Sequence, residues 1–432
     1  MKDIMKYKKW VEIPWKSIHI FVYDLQCKIY YHTGNNNKGL IRYYQHKLIK
    51  SVEARLLSVR YVSQDNRGKV TAGIDGIAKL TSNQRFRLAQ KLTLDGSSSK
   101  IRRVFIKKSN GKLRPLGIPT MKDRAKQMLI KLALEPEWEA KFENNSYGFR
   151  PGYSAADAKW CVARQLQGKA KFFLDAGIQE CFDKINHSYL LDKLNTSKMI
   201  KHQIASWLKA SILNYSFHIE DNSTTETSLA GTPQGGVLSP LLMNIALHGM
   251  ETFVLKEFSR NSVKLIRYAD DFVVFAKSLE DVVKAKDLIS KFLYPIGLQL
   301  SEEKTRIGHS MISEKGTSGP IGLDFLSFNF KNVPCSHHRG VKNTKGVTQE
   351  FRLITKPAQE AVKRHKRSLS HILVKFKSAP LGSVMERLSR CIKGWTWYHS
   401  ITQCTRTFSK LDEWLFWKLW GYGQKNAIKQ QH

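Results

Sequence analysis

The segment Lys264–Ala276, with the sequence KLIRYADDFVVFA, constrains the fold of this chain more than any other stretch. Two runs rich in β-branched and aromatic residues flank Ala269, Asp270 and Asp271, which is the pattern of two strands joined by a tight turn. Aspartate is an ordinary turn residue, so a structural role alone would explain a bare Asp–Asp pair. In so apolar a setting the two carboxylates repel each other, and a bound Mg²⁺ ion would offset that repulsion. We therefore predict that Asp270 and Asp271 are metal ligands on a hairpin.

The charge of the chain indicates a polyanionic partner. The 432 residues carry 71 Lys and Arg against 36 Asp and Glu, a formal net charge of +35 that is spread along the whole length. Such an excess repels itself in the folded state unless a polyanion neutralises it, so nucleic acid is the expected partner and a membrane surface is the weaker alternative. No apolar run approaches the roughly 20 residues of a membrane span, and no signal-peptide core follows the basic N-terminus. The six scattered cysteines favour a reducing compartment. From the missing apolar runs and the cysteines together, we expect no membrane partner and no secretion.

A second hairpin is predicted over residues 101–120. Alternating strand-like runs flank the turn at 109–111, and Asn-Gly between such runs is a strong hairpin signal. Lys112 and Arg114 are two residues apart on a strand, so their side chains leave the same face. A solvated basic edge is the ordinary interpretation of this pair. The functional alternative is a pair of cations that holds a nucleoside triphosphate.

Further motifs lie between the two hairpins and after the second. SYGFRP forms a loop before a helix, and an apolar strand over 171–178 continues into FDKINH. The Gly-rich segment GTPQGGVLSPLL leads into a helix and places Gln234 between flexible glycines. Downstream, GLQLSEEKTRIG puts Lys304 at the end of a strand-like run, and GLDFLSFNF over 322–330 is predicted to be another apolar strand.

In chain order, these motifs resemble those of group II intron reverse transcriptases. The basic hairpin, SYGFRP, the strand before FDKINH, GTPQGGVLSPLL, YADD, GLQLSEEKT and GLDFLSF follow one another as in that family, over roughly residues 50–420. The resemblance implies an α+β right-hand reverse transcriptase fold of fingers, palm and thumb. It also implies three domains: a helical N-terminal extension over 1–100, the fingers and palm over 101–345, and an α-helical thumb or maturase (X) domain over 346–432.

The resemblance also assigns candidate site residues. Asp270 and Asp271 would be the catalytic acids and the Mg²⁺ ligands of the palm. Several side chains are expected to contact the nucleotide, because they match the family's motifs in the fingers and palm. They are Lys112, Arg114, Phe182, Gln234 and Lys304.

One catalytic carboxylate of that family is missing here. Polymerase chemistry needs two metal ions held by three carboxylates, and the family's strand has the pattern Asp-Ile-x-x-x-Phe-Asp. In this chain Gly177 replaces the first Asp, and Glu180 stands where the family has a small residue, close to the expected triphosphate. Asp175 is on the same strand face but about 6–7 Å away, too far to replace a Mg²⁺ ligand without a backbone shift. We therefore expect impaired polymerase activity, with Mg²⁺ weak or absent at the palm site.

The C-terminal part is strongly basic and is predicted to bind RNA. Residues 331–410 hold 17 Lys and Arg against 3 Asp and Glu. An apolar stripe from Leu369 to Phe376 has helical spacing, and the basic face opposite it is either merely solvated or an RNA contact. The residues expected to contact RNA are Lys363, Arg364, Lys366, Arg367, Lys375, Lys377 and Arg406. Five Trp between 394 and 420 are expected to be mostly core residues, with one or two free to touch RNA.

The function that these features predict is that of a group II intron maturase, which binds structured intron RNA and promotes its splicing. The protein would contribute electrostatics and shape rather than chemistry. Its partner would be intron RNA, which itself requires Mg²⁺, and target DNA would be reached through that RNA. Two alternatives stay open: an active RNA-directed DNA polymerase of a mobile group II intron, and a domesticated reverse transcriptase-like protein.

Two expectations concern the setting of the protein. No Cys-pair or His-Asn-His nuclease module is present, so cleavage of a DNA target by this chain is not expected. The resemblance places the protein in the bacterial cytoplasm or in an organelle.

Overall fold

The computed structural model describes residues 7, 9–107, 111, 113–214, 225–226, 230–232, 235–313, 315–335, 341–342, 348–349 and 351–430. The helices are α1 (Trp15–Gly34), α2 (Lys38–Lys50), α3 (Val52–Arg60), α4 (Ser82–Lys91), α5 (Met121–Glu139), α6 (Ala155–Leu166), α7 (Cys181–Lys184), α8 (His187–Leu194), α9 (Lys198–Leu208), α10 (Ser239–Leu247), α11 (Met250–Leu255), α12 (Leu279–Leu293), α13 (Gln359–Lys375), α14 (Leu381–His399) and α15 (Thr405–Gln430). The strands are β1 (Ile101–Lys107), β2 (Leu113–Ile118), β3 (Phe172–Gly177), β4 (Ile212–Asn214), β5 (Thr225–Glu226), β6 (Lys264–Tyr268), β7 (Asp271–Ala276), β8 (Arg306–His309), β9 (Leu323–Phe325), β10 (Phe328–Pro334), β11 (Val341–Lys342), β12 (Thr348–Gln349) and β13 (Phe351–Pro357). None of the helices so described combines the length and the hydropathy that crossing a lipid bilayer requires.

The chain divides into two compact units. The first unit comprises Met1–Gly152, Ile178–Val254 and Leu288–Leu300, and the second comprises Tyr153–Gly177, Leu255–Asp287 and Ser301–His432. The three domains expected over 1–100, 101–345 and 346–432 remain a prediction.

Helices make up the N-terminal part of the first unit, as the sequence predicts. α1 buries a residue at every third or fourth position from Ile18 to Ile29 and packs on α2, α3 and α5. α5 is capped by Thr120, the residue before it, whose hydroxyl oxygen accepts a hydrogen bond from the backbone N–H of Asp123 at 3.2 Å. This cap satisfies one of the amide groups that a helix start leaves unpaired.

The basic hairpin of the first unit also forms as predicted. β1 and β2 are antiparallel, with Ile106 opposite Arg114, and they continue into a sheet of order β2-β1-β4-β5. Most of the turn between them lies outside the described residues.

The second unit is built on a four-stranded antiparallel sheet of order β6-β7-β3-β8. Every side chain of β7 from Phe272 to Ala276 is fully buried. Because both faces of the sheet are covered at this strand, its sequence is a continuous apolar run and does not alternate between apolar and polar residues. Sheets that are mostly antiparallel, with helices packed separately, confirm the predicted α+β fold class.

The apolar segment over 322–330 is not the single strand that its sequence suggests. β9 ends at Phe325, and Leu326 and Ser327 turn the chain back into β10 with φ values of +50° and +68°. Left-handed backbone is costly for residues with a Cβ, so these two residues give no turn signal in the sequence. Arg364 of α13 donates a hydrogen bond to the Ser327 hydroxyl at 3.0 Å and so helps to hold the turn.

The predicted amphipathic helix is α13, and its apolar stripe is covered. Leu369 and Leu373 are buried in a small core shared with α14, and Ile372 and Phe376 pack against that core. The predicted spacing of the stripe is therefore confirmed.

The aromatic segment that follows differs from its prediction. Of the five Trp, Trp397, Trp417 and Trp420 expose 80%, 63% and 57% of their surface. These rings stand on faces of α14 and α15 that no other element covers in the part of the chain described. The expectation that most of the five lie in the core is wrong.

Candidate active site

The hairpin of β6 and β7 holds two acids together at its turn. Tyr268 pairs with Asp271 across the strands, so Ala269 and Asp270 form a two-residue connection. Ala269 adopts a φ of +59°, and the buried Arg267 donates a hydrogen bond to its carbonyl oxygen at 3.1 Å. Both carboxylates are partly exposed at the end of the sheet. The hairpin predicted from the sequence is confirmed.

Gly177 faces these acids from the neighbouring strand. β3 runs antiparallel to β7, and Gly177 lies directly opposite Asp271. Because paired residues in a sheet project side by side, an acid at position 177 would stand next to Asp271. With glycine there, the third carboxylate is missing from the position where the resemblance expects it.

Lys304 occupies the space that glycine leaves open. Its Nζ donates a hydrogen bond to Oδ1 of Asp271 at 3.0 Å. A Cβ placed on Gly177 would lie 2.7 Å from Cδ of Lys304 and 3.3 Å from its Nζ. Burial lowers the pKa of the Lys304 amine, but Asp271, Asp270 and Asp175 together raise that pKa above its ordinary value.

Lys304 reaches this position from a turn and not from a strand end, which corrects the sequence prediction. The carbonyl oxygen of Ser301 accepts hydrogen bonds from the backbone N–H groups of Lys304 at 3.2 Å and of Thr305 at 2.9 Å. β8 begins only at Arg306. The apolar alternation before Lys304 resembles a strand, but these local bonds close the backbone into a helical turn.

The residues present do not fit a two-metal site. Among the residues that the structure describes, no three His, Cys, Asp or Glu side chains converge into a set able to hold a metal ion. Mg²⁺ requires a near-octahedral shell of oxygen ligands. Here Asp271 instead contacts an ammonium group, which repels a further cation. Asp270 and Asp271 as Mg²⁺ ligands remain a prediction.

Asp175 is a partly buried acid of this region. It pairs with Arg306 across β3 and β8. Burial raises the pKa of Asp175 to about 7; Arg306 and Lys304 oppose this rise, and Asp271 and Asp324 add to it. Asp175 is therefore electrostatically coupled to the hairpin. This coupling depends on the register of the sheet, which the spacing of residues along the sequence does not show.

Of the other residues expected to contact a nucleotide, Arg114 and Phe182 belong to the first unit. Arg114 is exposed on β2. Phe182 of α7 is buried, and its ring meets that of Phe149 edge to face, with centroids 6.4 Å apart. Lys112 and Gln234 lie outside the described residues. A nucleotide-binding role for these four residues stays a prediction.

Glu180 has an unusual backbone conformation. It precedes α7 with a φ of +47°, and its carboxylate pairs with Nζ of Lys184 at 3.1 Å. Glycine adopts this region of φ without strain, whereas a residue with a Cβ does not. The acid at this position is therefore held in a strained backbone conformation and offset by a neighbouring lysine.

Arg150 gives the SYGFRP segment a structural role that the sequence did not reveal. Its guanidinium group is buried and pairs with Glu139 at 2.9 Å. It also donates hydrogen bonds to the carbonyl oxygens of Glu143 and Ser146, at 2.9 and 2.7 Å. Since one planar guanidinium group satisfies three acceptors, it fixes the loop that follows α5.

Some of the basic residues expected to contact RNA are engaged within the protein. In each case the cation meets a hydroxyl, a carboxylate or an aromatic ring nearby. Arg364 donates to Ser327, Arg367 pairs with Glu360, Lys366 lies over the ring of Trp414, and Lys375 lies over the ring of Phe376.

The other three basic residues expected to contact RNA are not engaged within the described part of the protein. Lys363, Lys377 and Arg406 are exposed and form no hydrogen bond or ion pair with any other described residue. Their contact with RNA remains a prediction.

Comparison with known proteins identifies the family. The model of reverse transcriptase (RNA-dependent DNA polymerase) matches residues 106–355, which is more than half of the chain. The N-terminal domain of reverse transcriptase matches residues 10–92, and the group II intron, maturase-specific domain matches residues 362–430. The chain belongs to the reverse transcriptase family. It carries the maturase-specific domain of group II introns as well, so the resemblance seen in the motifs is confirmed.

Individual relatives agree with this assignment. Group II intron-encoded protein LtrA of Lactococcus lactis subsp. cremoris is 32% identical over 314 residues, which cover 57% of this chain and 51% of LtrA. Protein YkfC of Escherichia coli (strain K12) is 29% identical over 57% of this chain and 75% of its own length. Maturase-like protein 1 of Euglena gracilis is 25% identical over 92% of this chain and 79% of its own. The match thus spans about half the length of LtrA.

Proposed function

We propose that this protein is a group II intron maturase, which binds structured group II intron RNA and promotes its splicing. The observation that carries the proposal is the match of the maturase-specific domain to residues 362–430, the segment that contains most of α13 and all of α14 and α15. The names of two relatives, an intron-encoded protein and a maturase-like protein, support it.

The surface of this segment suits RNA. Lys363, Lys377 and Arg406 offer cations that the protein itself does not use, and RNA phosphates would neutralise them with release of counterions. Trp397 and Trp417 expose rings on which unpaired bases can stack. Basic and aromatic groups together favour a folded RNA with both helical and single-stranded parts.

The proposal includes the chemistry of the partner. Mg²⁺ belongs to the intron RNA, which performs the splicing reaction itself, and the protein stabilises the RNA fold in which that reaction occurs. Target DNA would be reached through the bound RNA. A bacterial cytoplasm or an organelle is the proposed setting.

A splicing assay at near-physiological Mg²⁺ tests this function, using the RNA recovered by crosslinking and sequencing from cells that express the protein. The wild-type protein should accelerate splicing of a group II intron RNA found in this way. The triple variant Lys363→Gln/Lys377→Gln/Arg406→Gln should lose most of this effect. The control Lys256→Gln/Lys277→Gln/Lys291→Gln removes the same charge from other exposed lysines and should retain it. Crosslinks that contain no group II intron RNA would refute the proposal.

An active RNA-directed DNA polymerase is the second candidate, favoured by one observation. Asp175 is an acid coupled to Asp271, and it would be the substitute for the carboxylate missing at Gly177. Its burial argues against this role, because burial raises the pKa of Asp175 to about 7 and so disfavours the ionised carboxylate that a metal ion needs. Primer extension with Mg²⁺ or Mn²⁺ decides: we expect no extension above that of an Asp271→Asn control, and robust synthesis would establish the polymerase.

A further inference from the structure

We propose that Lys304 is the resident counter-ion of the hairpin acids, and that its ammonium group takes the place of a divalent cation beside Asp271. This inference concerns the chemistry of the hairpin alone and does not rest on RNA binding.

The absence of a side chain at position 177 makes room for the lysine. Cδ of Lys304 lies 2.7 Å from where a Cβ of Gly177 would be, a distance that real Cβ atoms do not tolerate. Oδ1 of Asp271 is 3.0 Å from the same point. An acid at position 177 would therefore require the outer part of the Lys304 side chain to move, because both would fill the space next to Asp271.

The charges around the ammonium group support a counter-ion role. Asp270 and Asp271 of the hairpin and Asp175 of β3 all act electrostatically on Nζ of Lys304. Of these three acids, Asp271 is in direct contact with the ammonium group, with Nζ of Lys304 3.0 Å from its Oδ1. Lys304 supplies one positive charge through a side chain anchored on the Ser301 turn.

The ammonium group also competes directly with a metal ion. Two unit charges roughly 4 Å apart repel by about 1 kcal/mol even with the screening of bulk water, and a divalent ion doubles that repulsion. The doubled repulsion corresponds to an affinity for a divalent cation lowered by about 30-fold. Weaker screening at the partly buried sheet end would enlarge this factor.

Mn²⁺ binding, followed by the electron paramagnetic resonance signal of free Mn²⁺, tests the inference without any enzymatic readout. Lys304→Met keeps the length of the side chain and removes the charge. We expect this variant to bind one Mn²⁺ at least about 30-fold more tightly than the wild-type chain. Adding Asp271→Asn to Lys304→Met should abolish the gain, because the new site uses that carboxylate.

Two matched variants separate a local from a global effect of charge. Lys304→Arg keeps a cation at the site and should behave as the wild type. Lys277→Met removes the same charge from an exposed position and should leave Mn²⁺ affinity unchanged. Equal Mn²⁺ affinity in the wild-type chain and in Lys304→Met would overturn the inference, as would tight wild-type binding that Asp271→Asn removes. Circular dichroism shows whether each variant is folded. The test does not depend on splicing activity, so its failure and the failure of the proposed function can be told apart.

Discussion

The hydroxyl of Tyr398 on α14 donates a hydrogen bond to the carbonyl oxygen of Leu326, at 2.9 Å. Leu326 and Ser327 form the left-handed turn between β9 and β10, so this bond ties a helix of the maturase-specific segment to a strained turn of the sheet. The ring of Tyr398 also stacks on Phe328, with centroids 5.1 Å apart. Burial raises the pKa of Tyr398 to about 12, so the phenol keeps the proton that it donates.

Replacing Tyr398 with Phe should therefore destabilise the protein while preserving the stacking. The free energy of unfolding should fall by about 1–2 kcal/mol, because the Leu326 carbonyl group loses its side-chain donor. Urea titration followed by tryptophan fluorescence measures this change. Tyr294→Phe makes the same chemical change at a residue that is 85% exposed, and it should alter stability by less than about 0.5 kcal/mol. Equal effects of the two substitutions would show that the Tyr398 bond contributes nothing.

Asp175 should make the stability of the protein depend on pH. Burial raises the pKa of the Asp175 carboxyl from its ordinary value of 3.8 to about 7 in the folded state. The folded state therefore keeps a proton that the unfolded state loses, and stability falls as pH rises between these values. Well above pH 7 the loss is complete, at about 4 kcal/mol.

Asp175→Asn removes this dependence, since the amide does not ionise. The free energy of unfolding of Asp175→Asn, minus that of the wild type, should be about 2–3 kcal/mol larger at pH 8 than at pH 5. Urea titrations at both pH values measure the difference. Asp412→Asn, at an exposed position of α15, controls for the substitution itself and should show no comparable gain. A relative stability of Asp175→Asn that is flat with pH would contradict the burial argument.

The backbone strain at Glu180 can be measured with two substitutions. Glu180→Gly and Glu180→Ala both remove the exposed ion pair with Lys184, and they differ only in whether a Cβ is present at a φ of +47°. The glycine variant should be more stable than the alanine variant by about 1 kcal/mol, because the left-handed region penalises a Cβ. Thermal unfolding of the two variants gives the comparison. A more stable alanine variant would mean that the backbone here carries no strain.

Exposed and packed tryptophans should behave differently on substitution. Trp395 stacks on His365 with ring centroids 4.5 Å apart, so Trp395→Ala should cost about 3 kcal/mol of stability. Trp417 is 63% exposed, so Trp417→Ala should leave stability nearly unchanged. If its ring stacks on an RNA base, RNA affinity should fall by about 1–3 kcal/mol. Unfolding and filter-binding measurements on both variants separate the two roles; unaltered RNA affinity in Trp417→Ala would exclude that ring from the interface.

The salt dependence of RNA binding should reflect the three available cations of the maturase-specific segment. Each phosphate contact contributes about 0.7–0.9 to the slope of log affinity against log salt concentration. Lys363→Gln/Lys377→Gln/Arg406→Gln should therefore reduce the slope by about 2–3. Affinities between 50 and 200 mM salt, roughly the range over which such slopes are measured, give the value. A slope that the triple variant leaves unchanged would remove these residues from the interface.

The sequence predicted features that depend on local pattern. The Tyr268–Asp271 hairpin and the stripe of α13 were accessible because periodicity and turn residues act over a few residues, whereas Gly177 stood out only through the family resemblance. The turn at Leu326 and Ser327 was not, since neither residue favours left-handed backbone and tertiary contacts hold it. The approach of Lys304 to Asp271 spans 33 positions and depends on a side-chain conformation, which no local pattern encodes.

The contact between Lys304 and Asp271 also bears on how such a hairpin evolves. Once the Lys304 ammonium group neutralises Asp271, selection acts on this ion pair and no longer on Asp271 as a metal ligand. Among descendants that keep glycine at position 177, residues 271 and 304 should covary, changing together to neutral side chains more often than either changes alone.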